Sequence, residues 1–350
     1  MDINNELREQ SRRDFFTSTS SGLGGLALAS LLEGDEVLSA NEANPLTPKF
    51  GHFAPRAKRC IFVFLAGAPS HVDLYDPKPV LRKRHGQGLP KELTEKVRFA
   101  FIKKESAILM GSDRTFRPYG DCAMELSDVL PHIGSCADDI ALVRGMHTDA
   151  FNHHPAQLMM TTGVPRFGRP SMGSWLTYGL GCETNDLPAY VVLSAGRGSS
   201  GGVSNWTSGF LPSTYEGVVF RGDGEPVLNL NTPKGYTREM QEDSLGLINS
   251  LNRIRLEEQQ DTEIASRISS YELAFRMQRA APELSDVTGE TQETLNLYGV
   301  GRQEPEKSNF RGGGANVYGQ FSRNCLLARR LLERGVRFVT LMHASWDHHS

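Results

Sequence analysis

Four apolar runs punctuate the chain, each bounded by glycine, proline or charge. Residues 60–65 of "RCIFVFLAGAPS" are continuously apolar up to Gly67. That is the pattern of a strand buried on both faces, as in a parallel sheet. Similar runs lie at Ile140–Val143, in "LPAYVVLSAG" and in "VRFVTLMHA", and each predicts a further strand. Between them the period changes to that of helices. "ELSDVLPHIGSCADD" predicts a short helix over about 125–138, and "GRPSMGSWLTYGLG" a helix with Ser171 near its start and glycine at its close. From about 240 to 281, Leu245, Ile248, Leu251, Ile264, Ile268, Leu273 and Met277 recur at helical spacing. Residues 318–334 form a last helix that stops at Gly335. Helices alternating with apolar strands define an α/β class with a mostly parallel central sheet.

The remaining stretches are irregular. Residues 79–120 alternate basic segments with Pro and Gly, 195–204 is Gly/Ser-rich, 205–236 is loop-rich and 302–316 is polar. "FNHHPAQLMMTTG", residues 151–163, sets two histidines and a proline ahead of a short apolar run. Alone it does not decide between a surface loop and part of a site, and a single His-His pair is more often solvated or hydrogen-bonded than a ligand.

The amino terminus follows different rules. "SRRDFF" is followed by the weakly apolar "TSTSSGLGGLALASLL", so that Arg12 and Arg13 head a pattern resembling a twin-arginine export signal. The alternative is a chance Arg-Arg before an amphipathic helix. The apolar part, about residues 22–32, is shorter than the ~20 residues that span a bilayer, so no stable membrane span is expected. Residues 1–43 are read as signal and start of a linker, 44–57 as linker, and 58–350 as one folded domain. The signal would engage the twin-arginine machinery and deliver a folded protein to the periplasm or cell surface.

Composition narrows the function classes. The chain is 39% apolar and 23% charged, as a globular protein is. A net charge of −3 and the lack of a basic stripe interleaved with aromatics argue against nucleic acid. Five scattered cysteines without a C-x-x-C pair argue against a disulfide framework or zinc knot. Cys60 and Cys325 lie inside apolar runs, where a buried thiol is the default.

Candidate chemistry gathers after the strands. The first strand is followed by Ser70, His71, Asp73 and Asp76, the second by His147, Asp149, His153 and His154, and the last by His343, Asp347, His348 and His349. Seven of the ten histidines fall in these three groups. Ligands in open α/β sheets bind beyond the carboxyl ends of strands. Carboxylates with imidazoles suit a divalent ion such as Zn²⁺, Mn²⁺ or Fe²⁺, and a hydroxyl among them suits metal-assisted displacement. Taken singly, Ser70 is an ordinary helix cap and Asp76 an ordinary turn former. The weight lies in their combination.

The stretches "FLAGAPSHVDLYDPKP", "MHTDAFNHHPA", "GRPSMGSWLTYGLG", "LPAYVVL", "SYELAFRMQRAAPELSDVTGE", "CLLARRLLERGVRFV" and "SWDHH" run in order from about residue 58 to the end. Together they resemble the exported bacterial family known as domain of unknown function fifteen-oh-one, grouped with the alkaline phosphatase and sulfatase superfamily. The resemblance implies a parallel-sheet sandwich with a divalent metal, zinc, calcium or manganese, at the strand ends. It implies a sulfate or phosphate ester, free or on a glycan, as substrate. The metal ligands would be Asp73, Asp347 and His349, with His147 and His348 as further candidates. On the sulfatase nucleophile pattern the attacking position falls at His153, as ligand or nucleophile, with Ser70 the alternative. Arg144 and Arg169 are candidates to pair the anionic substrate, since guanidinium matches oxyanions bidentately. Two departures stand out: a histidine cannot become formylglycine, and Ala66-Gly67 occupies the point where the superfamily places its first metal Asp. The family pattern runs on past "WDHH", so the domain is expected to be incomplete at its carboxyl end. A rival reading is a metal- or glycan-binding exported protein that keeps the fold without catalysis.

Overall fold

A computed structural model of the chain describes residues 44–95, 103, 106–150, 152–196, 199–221, 226–227, 230–303, 316–343 and 346. Strand β1 (Cys60–Leu65) leads into short helices α1 (His71–Leu74), α2 (Pro79–Lys83) and α3 (Lys91–Thr94). Strands β2 (Phe116–Tyr119) and β3 (Met124–Ser127) follow, then α4 (Pro131–Gly134), α5 (His153–Thr162), α6 (Met172–Leu180), β4 (Tyr190–Ala195) and β5 (Val218–Phe220). Helices α7 (Arg238–Gln259), α8 (Thr262–Ser285), α9 (Gln292–Tyr298) and α10 (Val317–Glu333) precede β6 (Phe338–His343).

Four strands form one sheet in the order β1-β6-β4-β5, all parallel. Helices cover both faces, which gives a mixed α/β architecture. Strand alternation sorts the core. Val191, Leu193, Val339 and Leu341 meet Leu327, Ala328 and Leu331 of α10 and Met277, Ala281 and Leu284 of α8. Tyr190, Val192, Phe338 and Met342 point the other way, toward Trp206 and Leu176 of α6. Each run of consecutive apolar residues in β4 and β6 thereby fills two cores at once.

β1 departs from the expected buried strand. Among the described residues it pairs with β6 on one side only, and Ile61 and Val63 are exposed. Cys60, expected to be buried, is exposed at the start of this edge. Cys325 is half-buried on α10, where desolvation pushes its thiol up to about 11.

The segment 124–143 also differs. The expected helix over 125–138 is split into β3, α4 and a single 3-10 turn at Ala137–Asp139. Pro131 removes an amide donor and so starts a new helix instead of continuing one. Strand β3 pairs antiparallel with β2 as a separate two-stranded ribbon inside what looked like an irregular excursion. Ile140–Val143 is not a strand: Asp138 ties this turn back by accepting from the amides of Asp121 and Cys122 at 3.0 and 2.8 Å, and the four residues pair with no strand among the described residues.

Elsewhere the elements follow their local signals. Ser171 caps α6 by accepting from the Ser174 amide at 3.3 Å. The long helical stretch breaks into α7 and α8 at Gln260, which adopts φ +50°, and Asp261 then caps α8 through the Glu263 amide at 2.9 Å. "HHPAQLMMTT" is a helix, α5, closed by Gly163 at φ +80°. No helix among the described residues is long and apolar enough to cross a membrane.

Candidate functional site

The register places Leu65, His343 and Ala195 side by side, so three strands end on one rim. Backbone bonds extend this row. The Ala66 amide donates to His343 O at 2.8 Å, and the Trp346 amide donates to Ala66 O at 3.2 Å. The chain then turns sharply through Gly67 and Ala68, at φ +94° and +60°. The left-handed region is unfavourable for alanine. The close turn brings Ser70 onto the rim at the start of α1.

Here two of the predicted residues meet. Ser70 Oγ donates to Asp73 Oδ2 at 2.5 Å. The hydroxyls of Ser112 and Ser70, with Arg114 and His71 nearby, hold the Asp73 carboxyl below its ordinary range. Asp76 is buried and ion-paired to Lys78 at 2.6 Å and to Arg144 at 3.8 Å. Arg144 is therefore engaged with a carboxylate of the first loop. Arg169 is exposed and lies over the Phe210 ring, 5.8 Å from its centroid.

At the middle strand His343 packs edge-on against Phe321, ring centroids 4.5 Å apart, and its Nδ1 accepts from Trp346 Nε1 at 2.9 Å. Because indole nitrogen only donates, that Nδ1 carries no proton, and a neutral ring holds its hydrogen on Nε2.

At the third strand the Gly/Ser loop is fixed by α5. Gln157 Oε1 accepts from Ser200 Oγ and from the Gly201 amide, both at 3.0 Å. Thr161 donates to Asn205 Oδ1 at 3.1 Å, and Asn205 Nδ2 donates to Ser199 Oγ at 2.6 Å. Gln157, Thr161 and Asn205 are all buried. This polar network attaches the helix that begins with His153 to the loop after β4. Gln320 on α10 accepts from the Gly196 amide at 3.1 Å and pins the same loop from the other side.

His153 is exposed in the first turn of α5, and Asn152 at the cap makes no side-chain bond to that turn. The next residue, His154, was only one of a group in the sequence. Its ring lies edge-on to Phe167 at 5.2 Å, and its Nε2 is buried without a hydrogen-bond partner. His147 is exposed in the irregular segment before α5. Asp347, His348 and His349, like Arg12 and Arg13, lie outside the described residues. Among the described residues no three His, Cys, Asp or Glu side chains stand close enough to hold a metal together, so Asp73, His147 and His153 do not form a ligand set by themselves.

Of the residues singled out in the sequence, Ser70 and Asp73 are brought into contact, while the residues that hold the strand ends, Gln157, Thr161, Asn205, Gln320 and Trp346, were not among them. The cue available was weak, since amides and hydroxyls spaced by four on α5 read as a polar helix face.

Parallel strands flanked by helices and ending together beside polar loops define a mixed α/β protein. The sequence profile of the family described as "Protein of unknown function (DUF1501)" matches residues 57–350. The chain belongs to that family. No curated protein and no solved structure matches it.

Proposed function

We propose that the chain is an exported, metal-dependent hydrolase-like protein of the alkaline phosphatase/sulfatase type, acting on sulfate or phosphate esters at this rim. The observation that carries the reading is the Ser70–Asp73 pair, 2.5 Å apart, at the carboxyl end of β1 beside the end of β6. A serine hydroxyl hydrogen-bonded to a carboxylate is a positioned nucleophile, since the carboxylate fixes the direction of its oxygen lone pairs. Asp73 is held below its ordinary range, so it orients Ser70 more than it deprotonates it. Helix α5, tied through Gln157 and Thr161 to the loop after β4, begins in a first turn with no acidic side chain and no side-chain cap. The amide end of a helix attracts a tetrahedral oxyanion. His153 stands there to donate a proton or contact the ester.

A divalent ion would supply Lewis-acid polarisation of the ester oxygens. Asp73 and the unpartnered Nε2 of His154 are chemically fit to contribute, and Asp347, His348 and His349 are the proposed remainder. Substrate anchoring falls to Arg169, since Arg144 is paired with Asp76.

A second reading has its own support. The first-loop carboxylates already have partners in Ser70, Ser112, Lys78 and Arg144, and histidine stands where a sulfatase nucleophile is expected. On that reading the protein binds a metal or glycan without turning it over.

The test is turnover of 4-nitrophenyl sulfate and phosphate by the full chain with zinc, manganese or calcium, alongside calorimetric metal titration. We expect hydrolysis that Ser70→Ala lowers at least about a hundredfold while metal affinity persists. Metal uptake with no turnover favours the binding protein. Neither uptake nor turnover overturns both readings, and full activity in His153→Ala removes that residue from the chemistry.

A further inference from the structure

A cleft of about 330 Å³ opens between α8, the start of β5 and the 3-10 turn at Ser213–Tyr215. It lies at the other end of the sheet from the rim. Tyr190, which borders the cleft, opens β4, and Ala195 closes that strand on the rim about 17 Å away at ~3.3 Å per residue. Leu273 and Met277 of α8, with Val218, Val227 and Leu230, give the cleft an apolar wall. One charged side chain stands against that wall. Glu216 is half-buried, and its carboxylate has no hydrogen bond or ion pair among the described residues. No Lys, Arg or His lines the cleft among those residues, and desolvation holds the Glu216 carboxyl above its ordinary range.

The hydroxyls of the lining have already spent their hydrogens. Ser213, whose carbonyl accepts from the Glu216 amide at 3.0 Å, donates through Oγ to Glu263 Oε2 at 2.7 Å and through its amide to Glu263 Oε1 at 3.0 Å. Ser270 Oγ donates to Ser266 O at 2.8 Å. Toward a ligand, each of these hydroxyls can only accept. A carboxylate held away from water without a counter-ion is costly, and a lining that offers acceptors suits a ligand that only donates. An ammonium group has three donors and no acceptor. A metal ion would find a single carboxylate there, and no group of three ligating side chains occurs among the described residues. We infer that the cleft binds a primary amine with a short apolar body, its ammonium on Glu216 and its hydrocarbon against Leu273 and Met277. The volume is at the lower end of the ~300–1,000 Å³ typical of ligand sites, which fits a small molecule.

Isothermal titration of the full chain with hexylamine tests this. It needs neither ester nor metal, so it is read independently of the hydrolase proposal. Hexylamine should bind at least about tenfold more tightly than 1-hexanol, the share of a hydrogen-bonded charge. Glu216→Gln keeps the shape and should remove that difference. It should also leave the thermal midpoint of the unliganded protein unchanged or higher, since a desolvated charge is taken away. Ala274→Phe sets a ring into the cleft from an exposed position of α8 and should block both ligands with Glu216 intact. Equal binding of amine and alcohol overturns the proposal, as does hexylamine that binds Glu216→Gln or Ala274→Phe as it binds the parent. Absence of hexylamine binding at millimolar concentration overturns it as well.

Discussion

Glu290 shows how a single side chain ties distant segments together. Its two oxygens accept from Arg330 Nη1 at 2.6 Å and Arg329 Nη2 at 2.7 Å on α10. Arg330 is itself buried, and it donates to the carbonyls of Leu284, Glu283 and Asp286 at the end of α8. A cation at a helix carboxyl end also meets the negative end of the helix dipole. The hydrogen bonds from Arg329 and Arg330 hold Glu290 below its ordinary value of 4.5. A carboxylate with a lowered folded-state pKa adds stability that is fully present above its unfolded value. That contribution is lost as pH falls through the lowered value. Glu290→Gln should therefore lower the urea midpoint at neutral pH, and the gap from the parent should close as the pH is taken below about 4.5. A gap that stayed constant with pH would assign the loss to packing. In the sequence, "CLLARRLLERG" reads as a helix with solvated arginines. Their partner lies some forty positions away, beyond the reach of any local pattern.

Among the elements, α6 depends on a close approach. A Cβ at Gly173 would stand 2.5 Å from the ring of Tyr190, which is buried in β4 and bonded through its hydroxyl to Thr340 Oγ1 at 3.1 Å. The ring has little freedom to withdraw, so Gly173→Ala should destabilise the fold by about 1–3 kcal/mol. Gly179, in the same helix, is exposed with nothing within 4 Å, and Gly179→Ala should stabilise by about 0.4–1 kcal/mol through the unfolded chain. Urea denaturation of the two variants measures both signs, and equal effects would refute the contact. At this scale the chain was legible wherever a run was long and its pairing was central: β4, β6, α6 and α10 appear where their periods place them. It was illegible where pairing decided the outcome. Phe116–Tyr119, with Arg117 and Pro118 inside it, does not look like a strand, yet it pairs with β3. Ile140–Val143 looks like one and pairs with no strand among the described residues. Ser70 and Asp73 were each legible as residues that follow β1, but their hydrogen bond was not. Nor was the hold of Gln157 and Asn205 on the rim, because it spans α5 and the loop after β4.

Across the whole molecule the strand order carries the consequence. β6 inserts between β1 and β4, so that Cys60 pairs with Phe338 and Tyr190 with the same residue from the other side. Apolar patterning marks each of these strands but carries no record of which neighbours which. The sheet cannot close until residues up to His343 have left the ribosome, and parallel pairing over such separations forms slowly. A route that threads an unfolded chain would have to keep all of this sequence unpaired. A twin-arginine route moves the chain after the sheet has closed, and it is the route that Arg12 and Arg13 ahead of the short apolar stretch at 22–32 resemble. Lysine keeps the charge but not the planar guanidinium fork. Arg12→Lys with Arg13→Lys should therefore strand a folded, protease-resistant protein in the cytoplasm. Fractionation of cells expressing the parent and the double variant reads this directly. Equal export of the two would detach the arginines from transport and leave the amino-terminal segment as an ordinary helix-forming stretch. Cytoplasmic protein that is readily degraded in the variant alone would instead show that the arginines serve folding.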